Sequence, residues 1–139
     1  RCVRVPSETP RAKALRLLQQ LVRMKAADDN GMARCVSCNK LVHYKDADGG
    51  HWLPKGASSR WALEECNVHL QCKGCNGFGM KHGTASQAYT LHMIDMYGKD
   101  HIDHMIATKN QVHKLYKADY EDMIKDFRAQ IKEQEKRLK

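Results

Sequence analysis

Long apolar runs are missing from this 139-residue sequence. No stretch approaches the run of about 18 apolar residues that a membrane-spanning helix needs, so we expect no membrane partner. The first residues also lack the apolar segment of a secretory signal, so we expect no export and place the chain in the cytoplasm. The sequence has no internal repeat and no low-complexity segment, so nothing indicates a repeat protein.

Aromatic residues are scarce, at 6% of the chain, although 42% of all residues are hydrophobic. The core is therefore expected to be mostly aliphatic and methionine. The length predicts one domain, with helical extensions around a small centre. A centre of about 50 residues buries too little apolar surface to be stable alone and needs a covalent or metal staple.

The cysteines can supply that staple. Four of the six form two Cys-x-x-Cys pairs, Cys35/Cys38 and Cys72/Cys75. Disulfides would need an oxidising compartment, and a chain that is not exported more often uses such pairs as zinc ligands. The remaining Cys2 and Cys66 are expected to be ordinary thiols. The 33 residues between the pairs exceed the gap of about 15 to 20 in a plain four-cysteine ribbon and leave room for a further function.

The net charge of +8 is concentrated before the cysteine-rich centre. Residues 1–34 carry a net charge of +5, against +1 for 35–98 and +2 for 99–139. A basic segment of this kind suits a polyanion such as nucleic acid. The same charge is equally typical of a solvated helix face.

Four helices are predicted. The first follows Thr9-Pro10 and is basic and amphipathic to about Ala27, because Thr caps helices and Pro fits the first helical position. Two more are predicted at 84–97 and 100–108, and the last at 118–137. The last helix carries an apolar stripe that either packs on the same chain or pairs with a second copy. Its members are Tyr120, Ile124, Phe127 and Ile131.

Two short strands are predicted at 40–44 and 51–53. The sequence Asp-Ala-Asp-Gly-Gly at 46–50 has strong turn chemistry and is expected to join them into a hairpin. The glycine-rich segment that follows Cys75 is expected to be flexible or tightly bent.

Four polar residues can carry chemistry between and beside the cysteine pairs. His51 can accept a proton from water near neutral pH. Asn67 can orient the imidazole of His51 through a hydrogen bond. Asn76 and Asp48 offer oxygen ligands to a hard cation such as Mg²⁺. Taken singly, a strand histidine is more often structural and an asparagine of this kind is more often a turn residue.

Together these residues resemble a known pattern. His51, then Asn67 five residues before a Cys-x-x-Cys, then Asn76 directly after it, resembles the HNH (ββα-metal) endonucleases whose last motif residue is Asn. The run Asp48-Gly-Gly-His51, followed by Asn67-Val-His-Leu-Gln-Cys72-x-x-Cys75-Asn76, is similar to the NinG/Rap recombination proteins of lambdoid phages. The resemblance implies an α+β fold: a zinc-stapled ββα-metal core at 34–98, an N-terminal basic helix at 1–33 and a helical extension at 99–139.

The resemblance also implies an activity, namely a structure-selective endonuclease that cuts Holliday junctions, D-loops and other branched DNA in phage recombination. His51 would be the general base, Asn67 would orient it, and Asn76 would bind a catalytic Mg²⁺ or Mn²⁺. The four paired cysteines would hold a structural Zn²⁺. The expected partners are branched DNA and a second copy of the chain in a homodimer, inside the host bacterial cell, with no nucleotide cofactor.

The chain departs from the HNH pattern at two places. Many such proteins place Asp or His directly before the base as the first metal ligand, but here that residue is Gly50. Asp48 is the nearest carboxylate and the expected substitute. Many such proteins also carry a second His a few residues after the last motif residue. Here His82 lies six residues after Asn76, in a glycine-rich stretch, and is a further candidate ligand. With so few ligands, binding of the catalytic ion without DNA is expected to be weak.

Basic side chains near these segments are candidate contacts to the DNA backbone, and for each of them a solvated side chain is an equal alternative. They are Arg11, Lys13, Arg16, Lys55, Arg60, Lys73 and Lys81. The rival to an enzyme is a four-cysteine zinc module that only binds DNA or a partner protein. A redox or disulfide protein is a third alternative.

Overall fold

The computed structural model describes residues 8–138 and contains five helices and four short strands in that range. The helices are α1 (Pro10–Ala26), α2 (Met80–His82), α3 (Ala85–Tyr97), α4 (Lys99–Thr108) and α5 (Lys117–Arg137). The strands are β1 (Met32–Arg34), β2 (Leu41–His43), β3 (Ala47–His51) and β4 (Val68–Cys72). Cys2 lies outside the described residues. The predicted α+β class is confirmed at this level.

The helices lie close to where the sequence predicts them. Helix α1 begins as expected, because the hydroxyl of Thr9 accepts a hydrogen bond of 3.1 Å from the backbone N–H of Ala12 and Pro10 takes the first helical position. One face of α1 is buried, and its inward residues include Leu18 and Leu21. The predicted helices after residue 83 correspond to α3, α4 and α5. Over residues 8–138, no helix combines the length and the apolarity that crossing a membrane requires.

The predicted hairpin between 40–44 and 51–53 is wrong. Strand β2 instead pairs antiparallel with β1, the strand before it, with Ala33 opposite Val42. This pairing forms because the segment that begins with residues 35–38 reverses the chain. At this reversal the N–H of Cys35 donates to the carbonyl of Lys40 at 2.9 Å, and Asn39 adopts a φ of 64°.

The second hairpin joins β3 to β4, which are separated by a loop of 16 residues. The predicted turn at 46–50 therefore lies mostly in a strand. Gly49 and Gly50 serve close packing there instead of a turn: a Cβ on Gly49 would lie 2.7 Å from the Cα of Gln19 in α1. Because successive strand residues face opposite sides, Gly49 faces α1 and Gly50 faces the other layer.

Two apolar cores cover the two faces of this hairpin. On the first face, α1 packs with Val68 and with the stripe of α5. On the second, Tyr89 and Met93 of α3 pack with α4 and with the two tryptophans of the loop, Trp52 and Trp61. The stripe of α5 is thus covered by α1 of the same chain, and it does not carry the expected homodimer, which stays a prediction from the resemblance.

The glycine-rich segment after Cys75 is helical. A wide π-helical turn, Cys75–Gly79, continues directly into α2. The order strand β3, loop, strand β4 and helical segment therefore places residues from four separate stretches around the end of one small hairpin.

Candidate metal centre and adjoining cleft

The four paired cysteines come together at one end of the two hairpins. Their sulfur atoms all lie within 4.8 Å of one another, and the sulfurs of Cys38 and Cys72 are 3.7 Å apart. Four thiolates around Zn²⁺, each about 2.3 Å from the ion in a tetrahedron, would be separated by about 3.8 Å. All five cysteines in the described range are free thiols. The cluster is therefore compatible with a structural zinc ion, as the sequence predicts.

The thiols of the cluster differ in acidity. Burial disfavours the thiolate of Cys35, but hydrogen bonds from the backbone of Cys38, Cys72 and Ser37 outweigh it and lower the pKa to about 7. Burial, followed by the neighbouring thiols, raises the pKa of Cys75. Four thiolates this close repel one another, so the cluster retains protons until a cation binds and displaces them.

A cleft runs along the open edge of β3. It consists of two adjoining depressions of about 350 and 490 Å³ that share Gln19, Gly49, Lys55 and Asn76. Their walls come from α1, the loop after β3 and the helical segment after Cys75, and no residue of β4 contributes. The edge of β3 stays open because this strand pairs only with β4.

His51 ends β3 and lines this cleft. Its Nε2 lies 2.8 Å from the carbonyl oxygen of Ala62, which can only accept, so Nε2 carries the proton and Nδ1 keeps a free lone pair. Burial is the main cause that lowers the pKa of this imidazole below its ordinary value, and the charges of Lys55 and Arg11 add to it. The ring is therefore neutral at pH 7 and can accept a proton at Nδ1.

Asn67 does not bond to His51, so the predicted hydrogen bond between them is wrong. Its fully buried amide closes the loop instead. Oδ1 accepts from the N–H of Leu53 at 2.8 Å, and Nδ2 donates to the carbonyls of Leu53 and Trp61 at 2.9 and 3.2 Å. Trp61 precedes Ala62, the residue whose carbonyl holds the imidazole. Asn67 thus fixes His51 indirectly, through the backbone of the loop.

The loop is fastened at two further points. The indole N–H groups of Trp52 and Trp61 donate to the hydroxyls of Thr90 in α3 and Thr108 in α4, at 2.8 and 2.9 Å. Both indoles are buried, so these bonds form away from solvent. The loop that carries the carbonyl partner of His51 is therefore rigidly attached to the second layer.

Asp48 and Asn76 meet in the smaller depression, as the expected shared role requires. The amide Nδ2 of Asn76 donates to Oδ2 of Asp48 at 3.1 Å, and Lys73 pairs with Oδ1 at 2.8 Å. Burial raises the pKa of Asp48, but the bonds from Lys73 and Asn76 outweigh it and lower the pKa below its ordinary value. A carboxylate and a side-chain amide carry oxygens that suit a hard divalent cation, but here the amide turns its N–H to the carboxylate.

Gly50, where the pattern has its first ligand, has no space for a side chain. A Cβ at this position would lie 1.9 Å from Oε1 of Gln71 and 3.0 Å from Oδ1 of Asn76. Gln71 stands opposite Asp48 in the register of the hairpin and is fully buried. The sequence reasoning missed Gln71, although the alternation of apolar Val68 and Leu70 in β4 places it on the face that covers Gly50.

A comparison with protein-family models identifies the family of this chain. The model of the bacteriophage lambda NinG protein matches residues 6–137. The chain belongs to the NinG family. Searches of curated proteins and of solved structures found no match. The NinG family, predicted from the run Asp48-Gly-Gly-His51 and the segment from Asn67 to Asn76, is therefore confirmed.

Other predicted site residues of this NinG-family chain separate into two groups. Lys55, Lys73 and Lys81 line the cleft, and the guanidinium of Arg11 donates to the carbonyl of Lys55 at 2.9 Å. Arg23, which the sequence reasoning did not single out for DNA contact, also lines it. These cationic groups give the cleft a positive wall.

The second group is engaged elsewhere. Arg16 pairs with Glu8 at 2.9 Å, and Arg60 stacks on the ring of Trp61 at 4.1 Å. Lys13 lies on α1 and lines neither depression. His82 is exposed, lies against Phe78 with ring centroids 4.8 Å apart, and lines neither depression, so the structure does not bring it into the cleft with Asp48 and Asn76.

Behind Gly50, a chain of hydrogen bonds runs from buried Tyr89 through His69 to the exposed Tyr97. Tyr89 donates to the carbonyl of Gly50 at 2.7 Å, so its oxygen accepts from Nδ1 of His69 at 3.0 Å. Nε2 of His69 then accepts from Tyr97 at 2.8 Å. Burial lowers the pKa of His69 to about 4, so this ring is neutral in the NinG-family fold near pH 7.

Proposed function

We propose that this NinG-family chain is a divalent-metal-dependent endonuclease of the HNH type that cuts branched DNA. The observation that carries the proposal is that His51 and the Asp48–Asn76 pair open into one cleft. A neutral imidazole with a free Nδ1 lies in the same cleft as two oxygen-bearing side chains. The wall of this cleft carries cationic side chains. The strand–loop–strand–helix order around it supports the ββα-metal assignment.

Each residue has a distinct task in this reaction. Nδ1 of His51 accepts the proton of the water that attacks the scissile phosphate, while Ala62 keeps the ring in the required tautomer. Asn67 holds the loop that carries Ala62. Asp48 and Asn76 would hold a Mg²⁺ or Mn²⁺ ion, which would polarise the phosphate and stabilise the charge on the leaving oxygen.

The remaining groups support binding and the scaffold. Lys55, Lys73 and Lys81 are placed to contact phosphate oxygens without reading sequence. The four paired cysteines would hold Zn²⁺ and fix the end of β4 together with the start of the helical turn that carries Asn76. The preference for branched DNA, such as Holliday junctions and D-loops in phage recombination, follows from the resemblance to NinG/Rap proteins. A junction has two strands to cut, which favours a homodimer. The phage resemblance places this reaction in the host cytoplasm.

Cleavage of a four-way junction, a flap and a plain duplex, side by side with Mg²⁺ or Mn²⁺, tests the proposal. We expect the wild type to cut the branched substrates, and His51→Ala to abolish cutting while binding survives. His113→Ala, which removes an exposed imidazole outside the cleft, is the matched control and should cut normally. Binding without a product under any metal would instead identify a zinc module that only binds DNA.

A further inference from the structure

The side chain of Gln71 holds a buried oxygen without a partner. The residue is fully buried, and its Oε1 is one of the few buried side-chain atoms of residues 8–138 that make no hydrogen bond. A buried acceptor left unpaired is costly, so such an atom calls for a physical explanation.

The orientation of this amide is fixed from its other end. Nε2 of Gln71 donates to the hydroxyl oxygen of Ser37 at 2.9 Å, and that hydroxyl donates to the carbonyl of Ala85 at 2.9 Å. Since Ser37 has one hydrogen, already given to Ala85, it can only accept from Gln71. The amide of Gln71 cannot turn over without losing this bond, so Oε1 points away from Ser37.

Oε1 points at the space above Gly50, and there it meets a second amide. Both Oε1 of Gln71 and Oδ1 of Asn76 lie within 3.0 Å of the place where a Cβ of Gly50 would be. Two acceptors therefore lie beside the same space above Gly50, because Nδ2 of Asn76 is turned the other way, towards Asp48. This orientation serves the carboxylate of Asp48 and leaves Gln71 unpaired.

We propose that Gln71 is a positioning residue that turns Asn76 into a ligand for the divalent cation. A half-turn of the Asn76 amide about its Cβ–Cγ bond directs Nδ2 to Oε1 of Gln71 and Oδ1 to the side of Asp48. The buried acceptor gains its donor, and Asp48 and Asn76 then present two oxygens together. The inference rests on the proposed function, since it is the cation that replaces the amide hydrogens beside Asp48.

The arrangement gives a reason for the departure at Gly50. The space that an acidic or imidazole ligand would need at this position is filled by Gln71, which acts on the cation through Asn76. It also connects the two metal sites, because Ser37, which fixes Gln71, lies between Cys35 and Cys38.

Binding of Mn²⁺, followed by the electron paramagnetic resonance signal of the free ion, tests the role of Gln71 in a two-by-two set of variants. Gln71→Met keeps the length of the side chain and removes the acceptor, and we expect it to weaken Mn²⁺ binding about tenfold or more, as loss of a partner behind a ligand does. Asn76→Asp has two oxygens and no amide to orient. Adding Gln71→Met to Asn76→Asp should therefore change Mn²⁺ binding little.

Nuclear magnetic resonance of the side-chain amides tests the same inference on the wild type alone. The side-chain amide resonances of Asn76 should shift on addition of Mg²⁺, and those of Gln71 should move with them, since the two amides become bonded. Bound zinc and the unfolding temperature of each variant, measured in parallel, show whether the scaffold is intact. Asn76 resonances that stay fixed while Mg²⁺ binds would overturn the inference.

Three other outcomes would refute the inference in different ways. Equal Mn²⁺ binding with and without Gln71, in a wild type that cuts junctions, refutes the inference and leaves the proposed function standing. The same loss from Gln71→Met in the wild type and in Asn76→Asp refutes positioning and makes Gln71 a direct ligand. A wild type that neither binds Mn²⁺ nor cuts DNA refutes both proposals.

Discussion

The imidazole Nε2 of His51 lies 2.8 Å from the carbonyl oxygen of Ala62, eleven residues further along the chain. This one bond joins the end of β3 to the middle of the loop and decides which ring nitrogen is free. A carbonyl accepts only, so the tautomer with a hydrogen on Nε2 is selected, and the free lone pair belongs to the nitrogen that can act as a base.

The pH dependence of cleavage should report the state of His51. Mainly because of burial, the pKa of this imidazole lies below 6.5, so the rate should be level above pH 7 and fall only in a more acidic range. Lys55→Gln removes a nearby positive charge, which raises the pKa and should move the acid limb of kcat to higher pH. An acid limb unchanged by this substitution would contradict the role of His51 as the titrating base. Lys109→Gln, outside the cleft, is the control.

Asn67→Ala should weaken both the fold and the reaction. The variant leaves the N–H and carbonyl of Leu53 and the carbonyl of Trp61 without their partner, which should lower the free energy of unfolding by roughly 2–4 kcal/mol. Since Ala62 then loses its fixed place, kcat should fall more than KM rises. Urea unfolding and junction cleavage at a temperature where the variant stays folded measure the two effects.

The control for Asn67 is Asn110→Ala, at an exposed asparagine between α4 and α5. It should match the wild type in both measurements. A variant at Asn67 with normal stability would show that the three buried bonds contribute nothing.

Local patterns sufficed for part of this structure. Thr9-Pro10 marks the start of α1 because capping depends only on nearby residues. The cysteine spacing predicted the cluster because thiolates around one ion must converge. The pairing of β2 with β1, and the strand at 47–51, could not be predicted in this way, because turn propensity at Asp-Gly-Gly gave way to close packing.

The candidate site shows the same division. The motif spacing placed His51, Asp48 and Asn76 near one another, and the cleft brings them together. Gln71 and Ala62 escaped notice because their contributions come from a buried amide and a backbone carbonyl. Such contacts depend on tertiary neighbours, and no local residue pattern predicts them.

Alanine substitutions at the two glycines of β3 should lower the free energy of unfolding by different amounts. Gly50→Ala forces its Cβ against the fixed amide of Gln71 and should cost roughly 1–3 kcal/mol of unfolding free energy. Gly49→Ala meets the backbone of α1, which cannot swing aside, and should cost more. Gly56→Ala meets nothing within 4 Å and is the matched control.

A double-mutant cycle checks the cause at Gly50. If Oε1 of Gln71 is the obstacle, Gly50→Ala combined with Gln71→Ala should be more stable than the sum of the two single losses predicts. Strictly additive losses, measured by urea unfolding, would rule out this contact as the origin of the cost.

Mild acid should destabilise the fold through His69. Its pKa is about 4 in the folded chain, because of burial, and 6.5 ordinarily, so between these values the unfolded chain binds more protons. The stabilisation is complete above pH 6.5 and is lost as the pH falls through 4, up to on the order of 3 kcal/mol. His69→Gln, unable to take up that proton, should be less stable at pH 7, and its free energy of unfolding should decline less steeply as the pH falls. Urea unfolding at pH 7, 5.5 and 4.5 measures both effects.

The controls separate His69 from other titrating groups. Protonation of the four paired cysteines affects the wild type and His69→Gln alike, so the difference between the two isolates His69. His113→Gln should follow the wild type, and equal slopes for His69→Gln and the wild type would show that His69 is not the group responsible.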